Sequence, residues 1–362
     1  MANEITVNDF NPVVEKTLLA GGEGLVEDHN HDGSFSETTT ASFSADMAVG
    51  AIDGQGLTNS TTTGNEAVNV IYGFQIDLNT SFTGEDSLDI SIDAGNAIGT
   101  TLGEFDLNGT SNALSVDGVA YTFPLGDKAT VFVGDNMDGS TLYSTACVYG
   151  GPSNTLDDCG NVNSALGGGS GTAFGASYDI GSGLTAAVGY TGDGSSAKGI
   201  LTKEGADAFG AQLTYTADSF GVSATYANIE STVSTSDLTA VAGKDISYWG
   251  LNGYWTPSET GSFPSVSVGL EMGDPEEAGA KDTSTFFVGL QWDEFGPGTL
   301  GAALGTTGHI EDGATEYYMY EAFYSYPLND GMTITPLVYL KEAPVEGDMD
   351  ETGIMVKTSF SF

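Results

Sequence analysis

The chain has 362 residues and a formal net charge of -42, with 50 acidic residues and only 8 basic ones, all of them lysine. This balance excludes nucleic-acid binding, which needs a basic surface to replace phosphate counterions. The sequence contains no run of about 18 apolar residues, so it predicts no membrane-spanning helix. A content of 40% hydrophobic and 10% aromatic residues also excludes an intrinsically disordered chain.

The N-terminal segment, residues 1–33, precedes the first strand pattern. Asn11, Pro12 and Gly21 stand where a short helix would begin and end. A flexible tail is the alternative. The start of the chain has no secretory signal peptide, which we interpret as a mature exported protein with an added Met or as a truncated chain.

From residue 34 to the C-terminus, apolar and polar residues alternate in sixteen segments. In one of them Phe74, Ile76 and Leu78 share a face, and polar side chains occupy the other. A period of two predicts strands with one apolar and one polar face. The predicted strands are 34–49, 66–82, 87–95, 113–124, 129–135, 171–180, 184–191, 206–217, 220–229, 244–256, 265–273, 284–294, 298–306, 315–327, 332–341 and 351–362.

The gaps between these segments alternate between long and short along the chain. The short gaps have turn sequences, such as Gly181-Ser182-Gly183, whereas the long ones include 136–170. Outer-membrane barrels have an even number of strands, short periplasmic turns and long external loops. We therefore predict an all-β fold, a transmembrane antiparallel β-barrel of about 16 strands over residues 34–362, located in the outer membrane.

The polar faces of the strands would line the lumen. A barrel of this size leaves a water-filled channel inside, so no dry core is required. Taken singly, each polar residue is more simply explained as a solvated position without a selective role. Together they predict a mainly acidic lumen lined by Asp46, Gln75, Asp77, Asn79, Asp89, Asp93, Gln212 and Lys357.

The longest gap contains both cysteines of the chain, Cys147 and Cys159. No basic neighbour would activate a catalytic thiol, and a zinc site needs more ligands. One disulfide that closes a short loop is the simplest interpretation, and it implies an oxidising compartment.

Two stretches resemble cyanobacterial outer-membrane porins of the carbohydrate-selective family, also called iron-uptake porins. Residues 73–88, which read GFQIDLNTSFTGEDSL, are similar to a hairpin of that family, as are residues 326–336, YPLNDGMTITP. The chain ends in TSFSF, similar to the family's terminal motif, in which Phe360 and Phe362 would be the signal that the barrel-assembly machinery reads. The family's wall-binding surface-layer-homology domain is not part of this sequence, and the arginines of its pore have no counterpart here.

The resemblance implies a homotrimer of sixteen-stranded barrels among outer-membrane lipids, through which small hydrophilic solutes or inorganic cations diffuse. By analogy with general porins, the third long loop would fold inwards and narrow the channel, and surface decoration is the alternative. Its carboxylates Asp138, Asp157 and Asp158 would form the constriction. A constriction lined by carboxylates should favour cations over anions.

Two other classes of function remain as alternatives. One is a calcium-stabilised acidic β-solenoid or adhesin-like binding protein, which would show a constant repeat length. Asp348, Asp350 and Glu351 lie in an acidic loop that could hold calcium loosely, and no other cofactor is expected. The other is a barrel enzyme, but no nucleophile, base and acid set is visible, so we expect no enzymatic activity.

Overall fold

The computed structural model describes residues 38–54, 67–97, 102–159, 171–202, 205–230, 245–258, 261–344 and 349–362. Seventeen strands in these ranges form one antiparallel sheet, which closes on itself because β1 pairs with both β2 and β17. Sixteen of the strands are long, and β14 is a two-residue strand that pairs with β12. The predicted sixteen-stranded antiparallel barrel is thus confirmed. A closed sheet does not favour the β-solenoid alternative.

The strand bounds follow the predicted segments closely. They are β1 Thr39–Asp53, β2 Asn69–Thr80, β3 Ser87–Gly95, β4 Ser115–Leu125, β5 Ala129–Met137, β6 Gly171–Gly181, β7 Leu184–Gly192, β8 Asp207–Thr216, β9 Phe220–Glu230, β10 Asp245–Trp255, β11 Ser265–Pro275, β12 Thr283–Phe295, β13 Gly298–Thr306, β14 Ile310–Glu311, β15 Tyr318–Asn329, β16 Met332–Lys341 and β17 Glu351–Ser361.

The strand ends that the long connections join all lie at one end of the barrel, which we call the loop end, and those that the tight turns join lie at the other, the turn end. Antiparallel neighbours require this arrangement once long and short connections alternate. The turn between β2 and β3 is held by Asp86, whose Oδ1 accepts from Ser81 Oγ, the Phe82 and Thr83 amides, and Thr83 Oγ1 at 2.7–2.9 Å.

Strand register sets which side chains face outwards. Met47 and Val49 are exposed on the outer face, whereas the alternating residues Asp46 and Ala48 point inwards. Large aromatic side chains stand on the outer face near both ends, and Trp249 is 54% exposed there. This outer surface is suited to contact with lipid, and aromatic residues are enriched at both membrane interfaces of such barrels.

The inside of the barrel contains a cluster of buried hydrophobic side chains, which was not predicted from the sequence. Leu102, Phe105 and Leu156 come from two loops that fold into the barrel, and they pack on inward side chains such as Met319 and Tyr339. The loops carry apolar side chains, and burying these against apolar inward residues of the wall removes both from water. Part of the lumen is therefore filled by protein.

Helical structure in the described ranges is limited to two short 3-10 turns, Gly103–Phe105 and Asp157–Cys159. None of the helices in the part of the chain that the structure describes is long and apolar enough to cross a membrane. The predicted N-terminal helix and the whole segment 1–33 lie outside the described residues. The first described strand begins at Thr39.

Candidate channel lumen and constriction

The β5–β6 loop, described over residues 138–159, enters the barrel as soon as β5 ends. The Gly139 amide donates to Thr191 Oγ1 on β7 at 2.7 Å. The Gly139 carbonyl also lies against Gly189, so closely that a Cβ on Gly189 would overlap it. The lack of a side chain at Gly189 therefore lets the loop begin its path directly on the inner wall.

The middle of this loop runs along the inner wall from β8 to β12. Ser144, Val148 and Gly150 donate their backbone amides to inward side chains on successive parts of the wall. The acceptors are Gln212 Oε1 on β8 at 2.7 Å, Ser267 Oγ on β11 at 3.0 Å and Gln291 Oε1 on β12 at 2.8 Å. Polar inward residues thus satisfy the backbone of a segment that has left the sheet.

Tyr149 is the aromatic anchor of the loop. It is 2% exposed, and its hydroxyl donates to Glu321 Oε1 on β15 at 2.5 Å. Its ring lies 5.3 Å from that of Phe287 and 5.8 Å from that of Phe323. Because the phenol is buried and Glu321 is close, the pKa of Tyr149 is raised and the group stays protonated as a donor.

The β5–β6 loop then meets the β3–β4 loop at Glu104. The Glu104 carboxylate accepts from the Thr155 amide at 3.2 Å, from Thr155 Oγ1 at 3.0 Å and from Lys341 Nζ on β16 at 2.7 Å. The Asn154 amide donates to the Glu104 carbonyl at 2.8 Å. The two loops are therefore joined to each other and to the wall inside the lumen.

The disulfide expected from the sequence is present between Cys147 and Cys159, whose Cα atoms are 5.9 Å apart. It joins the part of the loop that runs along β11 to the buried residue that follows Asp158. The crosslink limits the conformations of the unfolded chain, and it therefore stabilises the folded shape of the segment that carries Tyr149 and Thr155.

The three loop carboxylates occupy different surroundings. Asp138 closes a turn at the beginning of the loop, where its Oδ1 accepts from the Ser140 amide and hydroxyl at 2.7 Å. Asp158 is exposed and Asp157 is half-buried. Burial, and then the charges of Asp158 and Glu321 with smaller contributions from other carboxylates, raise the pKa of Asp157 to about 7.

The predicted lumen-lining residues of β1, β2 and β3 share the inward face of neighbouring strands. Asp46 pairs with Gly73, Gln75 with Asp93, and Asn79 with Asp89, so all of these positions have the same orientation. Asp77 Oδ1 accepts from Gln75 Nε2 and from Ser91 Oγ at 2.7 Å. Asp89 Oδ1 accepts from Asn79 Nδ2 at 2.5 Å. The structure thus brings the acidic group together on one wall.

The other two predicted lumen residues lie on other strands, β17 and β8. Lys357 faces inwards on β17 opposite Ala48, with its ammonium group 5.6 Å from the centre of the Phe105 ring. Gln212 also faces inwards, but it is only 5% exposed because Ser144 of the β5–β6 loop lies on it. Gln212 therefore supports the loop instead of meeting open water.

The acidic loop before β17 is engaged in ordinary hydrogen bonds where it is described. Asp350 Oδ1 accepts from the Ala343 amide at 3.0 Å, and Glu351 Oε1 accepts from Tyr339 Oη at 2.6 Å. Asp348 lies outside the described residues. No group of three or more His, Cys, Asp or Glu side chains suited to a metal occurs in the described part of the chain.

The C-terminal aromatic residues face outwards at the turn end. Phe362 stacks on Phe43 of β1 with ring centres 5.9 Å apart, and the two backbones exchange hydrogen bonds at 3.0–3.1 Å. Phe360 pairs with Ala45 on the same strand. The chain terminus thus completes the pairing of the last strand with the first.

Sequence reasoning missed the residues that hold the two loops in place: Glu104, Tyr149, Glu321 and Lys341. Glu321 and Lys341 occupy inward positions of correctly predicted strands, and lysine is rare in this chain, so Lys341 could have been singled out. Glu104 lies in a loop where no periodic pattern assigns an orientation. Its partners come from 51 and 237 residues further along the chain.

Comparisons with known proteins agree with this geometry. A model of the Gram-negative porin family matches residues 24–339. The fold is similar to that of OprB from Pseudomonas putida, with a TM-score of 0.61 and 12% identity over 90% of this chain and 94% of that one. The fold is also similar to that of an anion-selective porin from Comamonas acidovorans, with a TM-score of 0.61 and 12% identity over 90% of this chain and 99% of that one. For a loop-deletion mutant of OmpT from Vibrio cholerae, the TM-score is 0.57 and the identity is 11% over 90% of this chain and 100% of that one. No curated protein sequence matches the chain.

Proposed function

We propose, from the premise that this chain belongs to the Gram-negative porin family, that its channel favours cations over anions. Family membership and the closed barrel identify an outer-membrane protein that acts as a diffusion channel, and they point to a channel rather than an enzyme. The ion preference goes beyond the family and depends on the charges in the lumen.

The observation that carries the proposal is the acidic wall, which we define as Asp46, Asp77, Asp89 and Asp93 on the inward faces of β1, β2 and β3. In the described part of the chain, only Lys341 and Lys357 provide ammonium groups at inward strand positions. Because Lys341 is paired with Glu104, only Lys357 of these two is left to offset the negative charge of the acidic wall.

Carboxylates on a pore wall create a local negative potential that enriches cations and repels anions. The effect reaches about 8–10 Å at ordinary ionic strength and less in concentrated salt. Close approach to the permeating ion is therefore necessary. The loops that fill part of the lumen support this condition, because they reduce the distance between the remaining water and the wall.

The experiment is a planar-bilayer recording of the refolded protein under a salt gradient. The sign of the zero-current potential gives the preferred ion, and we expect it to report cations. Asp77→Asn combined with Asp89→Asn should lower the cation-to-anion permeability ratio by about twofold or more. A change of only ~0.4 kcal/mol in the energy of an ion on the permeation path gives that factor. Glu311→Gln, on the loop-end surface, is the matched control. A potential that reports anions would overturn the preference and leave the channel itself intact.

Several finer features belong to the same proposal. The sequence resemblance to the cyanobacterial carbohydrate-selective or iron-uptake porins supports small hydrophilic solutes or inorganic cations as the cargo. It also supports a homotrimer, and assembly through recognition of Phe360 and Phe362 by the barrel-assembly machinery. Crosslinking of the protein in native membranes tests the trimer, because a trimer gives a ladder that ends at three chains.

A further inference from the structure

Three elements of the barrel meet at a single carboxylate inside the lumen. Glu104 belongs to the β3–β4 loop, Thr155 to the β5–β6 loop and Lys341 to β16. Glu104 is 8% exposed. Lys341 Nζ donates to Glu104 Oε1 at 2.7 Å and to Thr155 Oγ1 at 3.2 Å. One ammonium group is therefore bonded to both loops from a position on the rigid wall.

The charges around this junction are strongly unbalanced. Burial aside, the pKa of Asp157 is raised by neighbouring carboxylates on the two loops and on β15, namely Asp158, Glu321, Asp106 and Glu104. Within the described ranges, Lys341 is the only lysine that forms an ion pair with any of these five carboxylates. Neighbouring like charges repel one another, and the repulsion is stronger away from bulk water.

We propose that Lys341 is a positioning residue that, through Glu104 and Thr155, holds both loops against the inner wall and keeps the channel in one steady open state. Loss of its charge leaves Glu104 without a counter-ion among other carboxylates, so the loops separate and move into the water-filled path. Each such movement interrupts the ion current for a short time. The inference rests on the diffusion channel and not on its ion preference.

The remaining anchors of the β5–β6 loop do not depend on Lys341. Tyr149 is bonded to Glu321, Ser144 to Gln212, and the disulfide closes the segment. The strand pairing of β16 with β15 and β17 is a backbone ladder that does not involve the ammonium group. A substitution at Lys341 should thus loosen the junction of the two loops and leave the barrel closed.

Single-channel recordings of Lys341→Met test the proposal. Removing one partner of a largely buried ion pair leaves the other charge uncompensated, so we expect transient closures to become about tenfold more frequent or more. Lys341→Arg should restore a steady current, because the guanidinium group also donates to a carboxylate. Glu104→Gln combined with Lys341→Met should be steadier than Lys341→Met alone, because neither charge is then left unpaired.

Two other lysines serve as matched controls. Lys357→Met removes the other inward ammonium group, which touches the β3–β4 loop at the Phe105 ring and not at Glu104, so it should shift the zero-current potential and add fewer closures than Lys341→Met. Lys281→Met removes an exposed pair with Glu311 at 3.9 Å and should change neither property. A current from Lys341→Met as steady as that of the wild type overturns the proposal, and so do equally frequent closures in Lys357→Met.

The folded state of each variant is checked by its migration before and after heating in detergent gels. If Lys341→Met does not fold, Lys341→Gln decides, because it removes the charge but keeps a polar side chain at this inward position. A steady current in Lys341→Gln then overturns the proposal. A wild-type protein that forms no channel at all would contradict the diffusion function instead, which keeps the two failures distinct.

Discussion

Tyr149 donates its hydroxyl to Glu321 at 2.5 Å, and this bond joins a loop to the wall of the barrel opposite the loop's origin. The loop leaves β5 and the acceptor lies on β15. Glu321 is 5% exposed, and a buried carboxylate is costly unless a donor satisfies it. The phenol thus both supplies that donor and fixes the loop across the lumen, close to Asp157.

The ion preference of the channel should depend on pH through Asp157. Its pKa of about 7 means that the carboxyl is mostly neutral at pH 6 and mostly charged at pH 8, so cation preference should rise between these values. Asp157→Asn should make the step smaller, as measured by zero-current potentials across a pH series. Asp158→Asn should keep the step and move it to lower pH, because Asp158 raises the pKa of Asp157. A step of unchanged size in Asp157→Asn would remove Asp157 from the permeation path.

The raised pKa of Asp157 also makes the stability of the folded loop depend on pH. Asp157 holds its proton more tightly in the folded loop than in an unfolded chain, where the pKa of Asp is about 3.9. The folded loop therefore loses stability as the pH rises from that value through about 7. Protease cleavage within residues 138–159 should accordingly be faster at pH 8 than at pH 6 in the wild type, and the difference should be smaller in Asp157→Asn after correction for protease activity.

Reduction of the disulfide should loosen the β5–β6 loop without opening the barrel. For a closed loop of this length, the crosslink contributes about 2–4 kcal/mol, mainly by restricting the unfolded state. Cys147→Ser combined with Cys159→Ser should make the open-channel current noisier and the loop more sensitive to protease. The wild type treated with a reductant should behave like the double variant, and the double variant should not respond to reductant. A quiet current in both would show that Tyr149 and Glu104 hold the loop unaided.

Asp86 should stabilise the turn between β2 and β3. Its carboxylate accepts from Tyr121 Oη at 2.6 Å as well as from the turn, and these bonds hold its pKa well below the usual value. Asp86→Ala should lower the midpoint of thermal unfolding at neutral pH, and the difference from the wild type should shrink progressively below about pH 4, the pKa of Asp in an unfolded chain. Glu85→Ala, at the exposed neighbouring position, is the control. Equal midpoints for the two variants would contradict the role of Asp86.

Phe362 should matter for assembly in the cell more than for the finished barrel. It is largely exposed on the outer face and touches the first strand through Phe43. Phe362→Ala should reduce the amount of barrel in the outer membrane several-fold, while refolding of the purified chain in detergent proceeds as before. Phe82→Ala removes an exposed aromatic residue at the same end and should leave both unchanged. Normal levels of Phe362→Ala in the membrane would argue against recognition of the C-terminus.

The sequence by itself determined the barrel. The period-two alternation, as in Phe74 to Leu78, gave each strand its outward face, and the alternation of long and short gaps gave the two ends. These features are local, because successive side chains in a strand point to opposite faces whatever the strand is paired with. The inward positions of Asp77, Asp89 and Lys357 followed from the same rule.

Only the tertiary structure decided how the inside of the barrel is filled. Glu104, Thr155 and Lys341 come from three separate parts of the chain, and nothing near any of them in sequence predicts the others. Gln212 shows the same limit, since its inward orientation was predictable but the loop that covers it was not. A loop has no repeating geometry that assigns side chains to a face, so its contacts depend on which inward groups the closed barrel presents.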